Sequence, residues 1–219
     1  MNKCIISSVI SILQKGVNKF GPVLIDKLIK EYGKDPFIIL VGCLLSLRAK
    51  DSVTINVCRE LFSRAKTPIE IYKLSQGELE KIIYKSGFYK NKARVIKNIS
   101  EILVNRYHSR VPDSYQELIK LKGVGPKTAG VVLGYAYDIP AICVDTHVHR
   151  ISNRIGIIKT STVKQTEQEL SKVLNKKYWT GWNRLLVLFG QNICTPVSPK
   201  CSICKIFKFC KRVGVSRSR

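Results

Sequence analysis

The sequence predicts an all-α protein. Apolar residues recur at helical spacing in segment after segment, helix-capping residues precede many of these segments, and alternating strand patterns are nearly absent. The chain has 219 residues, of which 45% are hydrophobic, so it can form a substantial core in one large domain or two small ones. We therefore expect a two-lobed helical body with a cysteine-rich module at its end.

The first half of the chain is typical of a series of short capped helices. The apolar residues of the segment before Gly16 follow helical spacing, which favours a surface helix over an export signal. The next helices are expected after Pro22, Asp35, Asp51, Thr67 and Ser75. Asp35 and Asp51 are predicted N-caps, and Ser75 forms a capping-box pattern with Glu78. A longer amphipathic helix is predicted from Lys90 to His108.

The segment LIKLKGVGPKTAGVVL at residues 118–133 predicts two helices joined by a tight turn. The first helix should end near Leu121 and the second should begin at Pro126. Gly123 and Gly125 permit the unusual backbone of such a turn and the close approach of another surface. The N–H groups at the start of the second helix can bind a phosphate. The segment could be a nucleic-acid-binding hairpin or an ordinary helix–helix turn, whereas a P-loop is excluded because Pro126 separates Gly125 from the lysine.

Lys127 lies in the first turn of that second helix. The helix dipole disfavours an ammonium group at this end, and we expect buried surroundings to do the same. A neutral amine there would be a nucleophile able to form a Schiff base. The alternative is a solvated lysine that contacts phosphate.

Asp145 precedes the amphipathic segment THVHRISNRIG and is predicted to cap its helix. The same carboxylate could also project into a cleft. His147 and His149 are two residues apart and face different sides of a helix, so they do not form a metal pair. Phosphate contact or plain exposure is expected for them.

The charge of the chain indicates a polyanionic partner. Lys and Arg number 38 against 15 Asp and Glu, which gives a formal net charge of +23. In a compact state these positive charges repel one another, which favours binding of a polyanion that neutralises them. Nucleic acid is the first candidate for this partner, ahead of an anionic membrane. The basic residues are spread along the whole chain, which favours a broad binding surface. No apolar run reaches the length of about 18 residues expected of a transmembrane helix.

Four of the eight cysteines lie close together near the C-terminal end: Cys194, Cys201, Cys204 and Cys210, as C-x6-C-x2-C-x5-C. Their thiolates could all bind one metal centre, and sulfur ligands select zinc or iron–sulfur. The other four are expected to be small buried hydrophobic residues in a reducing setting, because a disulfide scaffold is not typical of a chain with a full core.

The motifs together resemble the endonuclease III family of helix–hairpin–helix DNA glycosylases. The resemblance covers nearly the whole chain and rests on LLSLRAKDSVT, SGFYKNKARVI, LKGVGPKTAGVVL, VDTHVHRISNRIG and the cysteine spacing. It implies a six-helix barrel domain at residues 29–139 and an iron–sulfur domain formed by residues 1–28 and 140–219. It further implies that the four cysteines bind a [4Fe-4S] cluster and that a cleft between the domains holds a flipped-out base.

The resemblance also implies a function, which is repair of damaged double-stranded DNA by base excision. Lys127 matches the family's catalytic lysine and Asp145 its catalytic aspartate. By that correspondence, Lys127 attacks the sugar, removes an oxidised pyrimidine and nicks the strand by β-elimination through a Schiff base. Gly123, Gly125 and Lys200 are expected to lie against DNA phosphates. A monomer in a bacterial cytoplasm, associated with the nucleoid, is the expected setting.

Two positions depart from the family pattern. Arg48 stands where close relatives often carry Gln, and Phe88 stands where a Leu can wedge beside the lesion. An aromatic or cationic side chain could fill the vacated space by stacking. The reaction class is unaffected, but the choice of base is left open. A monofunctional mismatch glycosylase and a non-catalytic DNA-binding module are the alternatives.

Overall fold

The computed structural model describes residues 3–219, with side chains from residue 5 onward. These residues form α-helices and short 3-10 helices and contain no strand, which confirms the all-α prediction. The α-helices are α1 (Lys3–Val17), α2 (Leu24–Tyr32), α3 (Pro36–Ser46), α4 (Asp51–Phe62), α5 (Pro68–Lys73), α6 (Gln76–Ile83), α7 (Tyr89–Tyr107), α8 (Tyr115–Leu118), α9 (Pro126–Ala136), α10 (Thr146–Ile155), α11 (Val163–Val173) and α12 (Trp179–Asn192). The 3-10 helices are Lys176–Tyr178, Cys201–Ile203 and Phe207–Phe209.

The chain divides into two compact units. The central unit is Pro22–Ile139, and the terminal unit joins the residues up to Gly21 with Pro140–Arg219. The central unit therefore holds α2 to α9, and the terminal unit holds α1 and α10 to α12. The domain limits implied by the resemblance concern the family's functional domains and stay predictions.

Helix α3 forms the core of the central unit. Its residues from Phe37 to Leu45 are buried apart from Cys43, and a helix that is apolar on all sides must be enclosed by others. Helices α2, α4, α7 and α9 pack around it. As predicted, Asp35 caps α3, because its Oδ1 accepts from the backbone N–H groups of Phe37 and Ile38.

The predicted caps of the next helices have mixed outcomes. Ser75 forms the predicted capping box at α6, and Thr67, for which only a helix start was predicted, forms one at α5. The prediction that Asp51 caps α4 is wrong, since Lys50 occupies the N-cap position and Asp51 is the first helical residue. Its Oδ2 instead accepts from Leu24 N at 3.3 Å, across the α2–α4 packing.

The terminal unit is built around α12, against which α1 and α10 pack. The buried face of α1 consists of Ile6, Val9, Ile10, Leu13 and Val17. Trp182 of α12 is also buried, and its indole N–H donates to Ser152 Oγ on α10 at 3.3 Å. These contacts fix α10 and the residue that caps it.

No helix formed by residues 3–219 combines the length and the hydropathy that crossing a membrane requires. Cys58 and Cys143 are buried as expected, Cys43 is half-buried, and the prediction for Cys4 concerns a side chain outside the described residues.

Candidate functional site

The glycine turn of the central unit connects α8 to α9, as the sequence predicts. Val124 N donates to Leu121 O at 2.9 Å, which closes the turn. Gly123 has a φ of 101°, and a Cβ at this residue would lie 2.5 Å from Val95 Cγ1. Both conditions exclude a larger residue. Gly125 is the N-cap of α9 and, lacking a side chain, leaves the first turn of that helix uncovered by a cap.

Lys127 is the second residue of α9 and is exposed, so the expectation of buried surroundings is wrong. The adjacent Thr128 is buried, which fixes the backbone beneath the lysine. Burial raises the pKa of the Cys43 thiol to about 12, and the positive charge of Lys127 partly opposes that rise.

Asp145 caps α10 in the terminal unit, as predicted. Its Oδ1 accepts from His147 N and from Val148 N, each at 2.9 Å. The carboxylate is half-buried, and these two bonds hold it in a fixed orientation at the positive end of the helix. Asp145 and Lys127 thus belong to different units, and each is held by the first turn of a helix.

Neither histidine of α10 is fully exposed, which corrects the expectation of plain exposure. His149 Nδ1 lies 2.7 Å from Thr166 Oγ1 on α11. His147 Nδ1 lies 3.2 Å from Arg150 Nη2. Both rings therefore take part in hydrogen bonds within the terminal unit.

Arg48 and Phe88 are brought together in the central unit. Both are exposed, Phe88 to 64%, although they are 40 positions apart in sequence. The guanidinium carbon of Arg48 lies 5.8 Å from the centroid of the Phe88 ring, within cation–π range. Each has a left-handed backbone, with φ of 54° and 59°. The two predicted substrate-contacting residues thus form one exposed pair.

The four C-terminal cysteines all line one pocket of the terminal unit, together with Lys200 and apolar side chains that include Phe189. Burial raises the pKa of Cys204 to about 11 and also raises the pKa of Cys210. Within residues 3–219, however, no three His, Cys, Asp or Glu side chains are arranged so that they could hold a metal ion. The thiols therefore share a pocket but are not gathered into a ligand set.

Two arginines of α10, which were not among the predicted site residues, contact this cysteine segment. Arg154 is buried, and its Nη1 donates to Cys194 Sγ at 3.4 Å and to Thr195 O at 2.8 Å. Arg150 Nη2 donates to Cys194 O at 3.0 Å. Their spacing of four residues on one amphipathic helix was the signal available, since it places both on one face.

Comparison with known proteins matches the chain to one superfamily of DNA repair proteins. Residues 41–176 match the sequence profile of the HhH-GPD superfamily base excision DNA repair proteins. Endonuclease III of Thermotoga maritima is 45% identical over 177 residues, which cover 81% of this chain and 83% of that protein. Endonuclease III of Bacillus subtilis is 36% identical, with 84% of both chains covered.

Solved structures of DNA repair enzymes also superpose on this chain. A trapped endonuclease III–DNA covalent intermediate superposes with a TM-score of 0.77 at 34% identity, covering 86% of this chain and 92% of that one. A thermostable thymine-DNA glycosylase superposes with a TM-score of 0.85 at 25% identity, covering 96% and 97% of the two chains.

The chain is therefore a base-excision repair protein of the HhH-GPD superfamily. Within that class it belongs to the endonuclease III family, because its matches to several members exceed 30% identity over more than four-fifths of their length. It is accordingly an enzyme, a DNA glycosylase with abasic-site lyase activity, and the interpretation as a non-catalytic module is wrong. Family membership is consistent with an iron–sulfur cluster.

Proposed function

We propose that Lys127 is the nucleophile of this enzyme and that Asp145 assists departure of the base. The observation that carries the proposal is the position of Lys127, which is exposed in the first turn of α9 directly after the Gly123–Gly125 turn. The turn gives a DNA backbone close access to that helix end, where the exposed amine would meet a sugar.

The reaction follows from the amine. The nitrogen of Lys127 forms a bond to C1′ while the bond between C1′ and the base breaks, and the base leaves with the electron pair. A proton then passes from this nitrogen to the ring oxygen, the bond between C1′ and the ring oxygen breaks, and an iminium results. Loss of a C2′ proton follows, and the C3′–O bond breaks, so that the strand on the 3′ side leaves with a 5′ phosphate. Asp145, fixed by its capping bonds, stabilises the positive charge that develops on the sugar and handles the proton.

The proposed substrate is an oxidised pyrimidine in double-stranded DNA, and the proposed active form is a monomer. Arg48 and Phe88 enter the base stack beside the lesion, where their exposed pair fills the space that the extruded nucleotide leaves. The net charge of +23 supplies the general attraction to the phosphate backbone.

Borohydride trapping tests the lysine directly, because it reduces an iminium to a stable amine. Wild-type protein mixed with a duplex containing thymine glycol should give a covalent protein–DNA adduct, and Lys127→Ala should give none while it still binds DNA. Lys122→Ala is the matched control, since Lys122 is exposed in the same turn. An adduct that survives in Lys127→Ala, or wild-type protein that never forms one, would contradict the proposal.

We further propose that Cys194, Cys201, Cys204 and Cys210 bind a [4Fe-4S] cluster. In support, the four thiols line one pocket, and sulfur is the donor type that iron–sulfur clusters require. Several N–H groups donate to these sulfurs, among them Arg154 Nη1 to Cys194 and the backbone of Arg212 to Cys210 at 3.4 Å. Such bonds would favour the thiolate forms that ligation needs.

When bound, the cluster would serve mainly as a structural crosslink of the C-terminal segment. Lys200, which is half-buried between Cys194 and Cys201, would be held by this segment for contact with DNA phosphates. Protein isolated without oxygen should be brown and contain about four iron atoms per chain. Colourless protein with stoichiometric zinc would overturn the assignment.

Removal of thymine from a mismatch is a second candidate activity, because a structure named as a thymine-DNA glycosylase superposes over 96% of the chain. If this activity is present, thymine would be released from a G·T mismatch and the trapped adduct would form on that duplex. The trapping experiment therefore separates the two, provided that it is run on a G·T mismatch and on thymine glycol in parallel.

A further inference from the structure

Lys92 is a buried lysine in the first turns of α7. The residue is 6% exposed, and burial lowers its pKa. Its Nζ donates to Leu45 O at 2.7 Å and to Ser86 Oγ at 2.8 Å. Burying an amine costs free energy unless hydrogen bonds compensate for the lost water. A lysine side chain is long and normally extends its amine to solvent, so these two acceptors are what keep the Lys92 amine buried.

The acceptor at Leu45 belongs to the C-terminal end of α3, where four carbonyls lack helical partners. Neighbouring carbonyls bond locally: Cys43 O accepts from Ser46 Oγ at 2.7 Å, and Ser46 O accepts from Ala49 N at 3.1 Å. The carbonyl of Leu45 accepts instead from Lys92 and from Ser86. Lys92 therefore caps α3 from a different helix, at the negative end of the α3 dipole.

The two segments that Lys92 connects carry the exposed pair. Arg48 follows the end of α3, and Phe88 is the N-cap of α7. The backbone N–H of Lys92 donates to Phe88 O at 3.1 Å. A Cβ on Gly87 would lie 3.9 Å from Arg48 O, so the two segments are in direct contact. Both residues of the pair have left-handed backbones, which persist only where the surroundings impose them.

We propose that Lys92 is a positioning residue that fastens these two segments, so that Arg48 and Phe88 meet the DNA as one rigid wedge. This inference rests on the proposed function, in which the pair enters the base stack. Since Lys92 is buried, it would act through the pair and not through its own contact with DNA. Its effect should therefore fall on base extrusion, which has to separate stacked bases, and not on the chemistry at the sugar.

The test compares two rates on one duplex sequence: excision of thymine glycol, and nicking at an abasic site formed beforehand, where no base remains to be unstacked. Lys92→Met keeps the length of the side chain and removes the donor. We expect excision to fall on the order of tenfold, as for loss of a charged hydrogen bond, and nicking to change by less than about twofold. Ser86→Ala should lower the ratio of excision to nicking by a smaller factor. It replaces Lys92→Met as the test variant if Lys92→Met folds poorly.

Lys97→Met is the matched control. Lys97 lies on the same helix and also donates its Nζ to two carbonyls, at Tyr72 and Leu74, but these belong to the end of α5. We expect this variant to lower stability and leave the ratio of excision to nicking unchanged. If both lysine variants lower both rates equally, Lys92 has only a structural role and the inference fails.

A double variant separates this inference from the proposed function. In a Phe88→Ala background, Lys92→Met should have little further effect on excision, because Lys92 is proposed to act only through the pair and the aromatic side chain of that pair is already gone. If Arg48→Ala and Phe88→Ala leave excision unchanged, insertion of the pair is wrong. If they lower excision and Lys92→Met does not change the ratio, the insertion stands and the positioning role is overturned.

Discussion

At the scale of single residues, Asp145 combines a structural and a chemical task that two substitutions can separate. Asn is as good an N-cap as Asp, so Asp145→Asn should keep the bonds to His147 N and Val148 N and with them most of the stability. It removes the negative charge, and base excision should fall by at least about a hundredfold if the carboxylate stabilises the transition state. Thermal unfolding and single-turnover excision measure the two effects.

The companion variant is Asp145→Ala, which removes the cap as well as the charge. It should lose about 1 kcal/mol of unfolding free energy relative to Asp145→Asn. Its excision rate should be close to that of Asp145→Asn. An Asn variant with wild-type activity would show that Asp145 is only a cap.

Single residues also show what could be predicted from the sequence. The caps at Asp35, Thr67 and Ser75 were predictable because each bonds to N–H groups within three residues. The failure of Asp51 to cap α4 was not predictable, because its Oδ2 accepts instead from Leu24 N, 27 residues away. Lys92 likewise resembles a surface lysine until the fold brings it to Leu45 O.

At the scale of elements, the turn between α8 and α9 offers two glycines with opposite constraints. Gly123→Ala should cost more than 1 kcal/mol, because a Cβ would combine a φ of 101° with a contact of 2.5 Å to Val95. Gly125 has a φ of −94° and open space around a Cβ, so Gly125→Ala meets neither constraint and should cost less stability than Gly123→Ala, with the remaining loss due to Ala being a poorer N-cap than Gly.

The same glycine pair separates folding from DNA contact. A methyl group at Gly125 would stand where the proposed phosphate approaches the start of α9, so Gly125→Ala should weaken DNA binding although it costs less stability than Gly123→Ala. Chemical denaturation and fluorescence anisotropy with a labelled duplex measure the two properties. Unchanged affinity in Gly125→Ala would show that this face of the turn does not touch DNA.

Helix α11 carries a carboxylate whose titration should appear in the pH dependence of stability. Burial raises the pKa of Glu167 above its unfolded value. Its contribution to stability is therefore complete below about pH 4.5, the unfolded pKa, and is lost as pH rises through the folded value. Glu167→Gln should unfold at a higher temperature than wild type at pH 7, with the difference shrinking towards pH 4.5.

Glu169→Gln is the control for that titration, since it makes the same charge change on the same helix. Its carboxylate pairs with Lys172 at 2.7 Å, so no gain in stability at neutral pH is expected. If both variants gain equally, burial of Glu167 is not the cause.

These elements show where prediction of the site stopped. The turn motif and the cysteine spacing could be recognised in the sequence because their chemistry depends on residues that are close in sequence. The pairing of Arg48 with Phe88 joins residues 40 positions apart, and the contacts of Arg150 and Arg154 join α10 to a segment about 40 residues later. Such contacts follow from helix packing, which a sequence pattern does not specify. The exposure of Lys127 was missed because the apolar residues around it suggested burial.

At the scale of the whole molecule, the net charge of +23 should make DNA binding strongly dependent on salt. Each phosphate contact releases a condensed counterion, so the logarithm of the affinity should fall linearly with the logarithm of the salt concentration. With six or more such contacts, affinity for undamaged duplex should drop at least about a thousandfold between roughly 50 and 200 mM salt. Titrations by fluorescence anisotropy at several salt concentrations give the slope.

The slope can also be divided among individual lysines. If Lys200 contacts a phosphate, Lys200→Ala should reduce the slope by about one and weaken damaged and undamaged duplexes equally, because a phosphate contact carries no sequence information. Lys34→Ala is the matched control, since Lys34 forms an exposed ion pair with Asp138 at 2.6 Å and its charge is already balanced. A slope near zero in the wild-type protein would show that the excess charge does not serve DNA binding. If Lys200→Ala and Lys34→Ala reduce the slope equally, the excess positive charge attracts DNA only through its overall electrostatic field and Lys200 makes no specific phosphate contact.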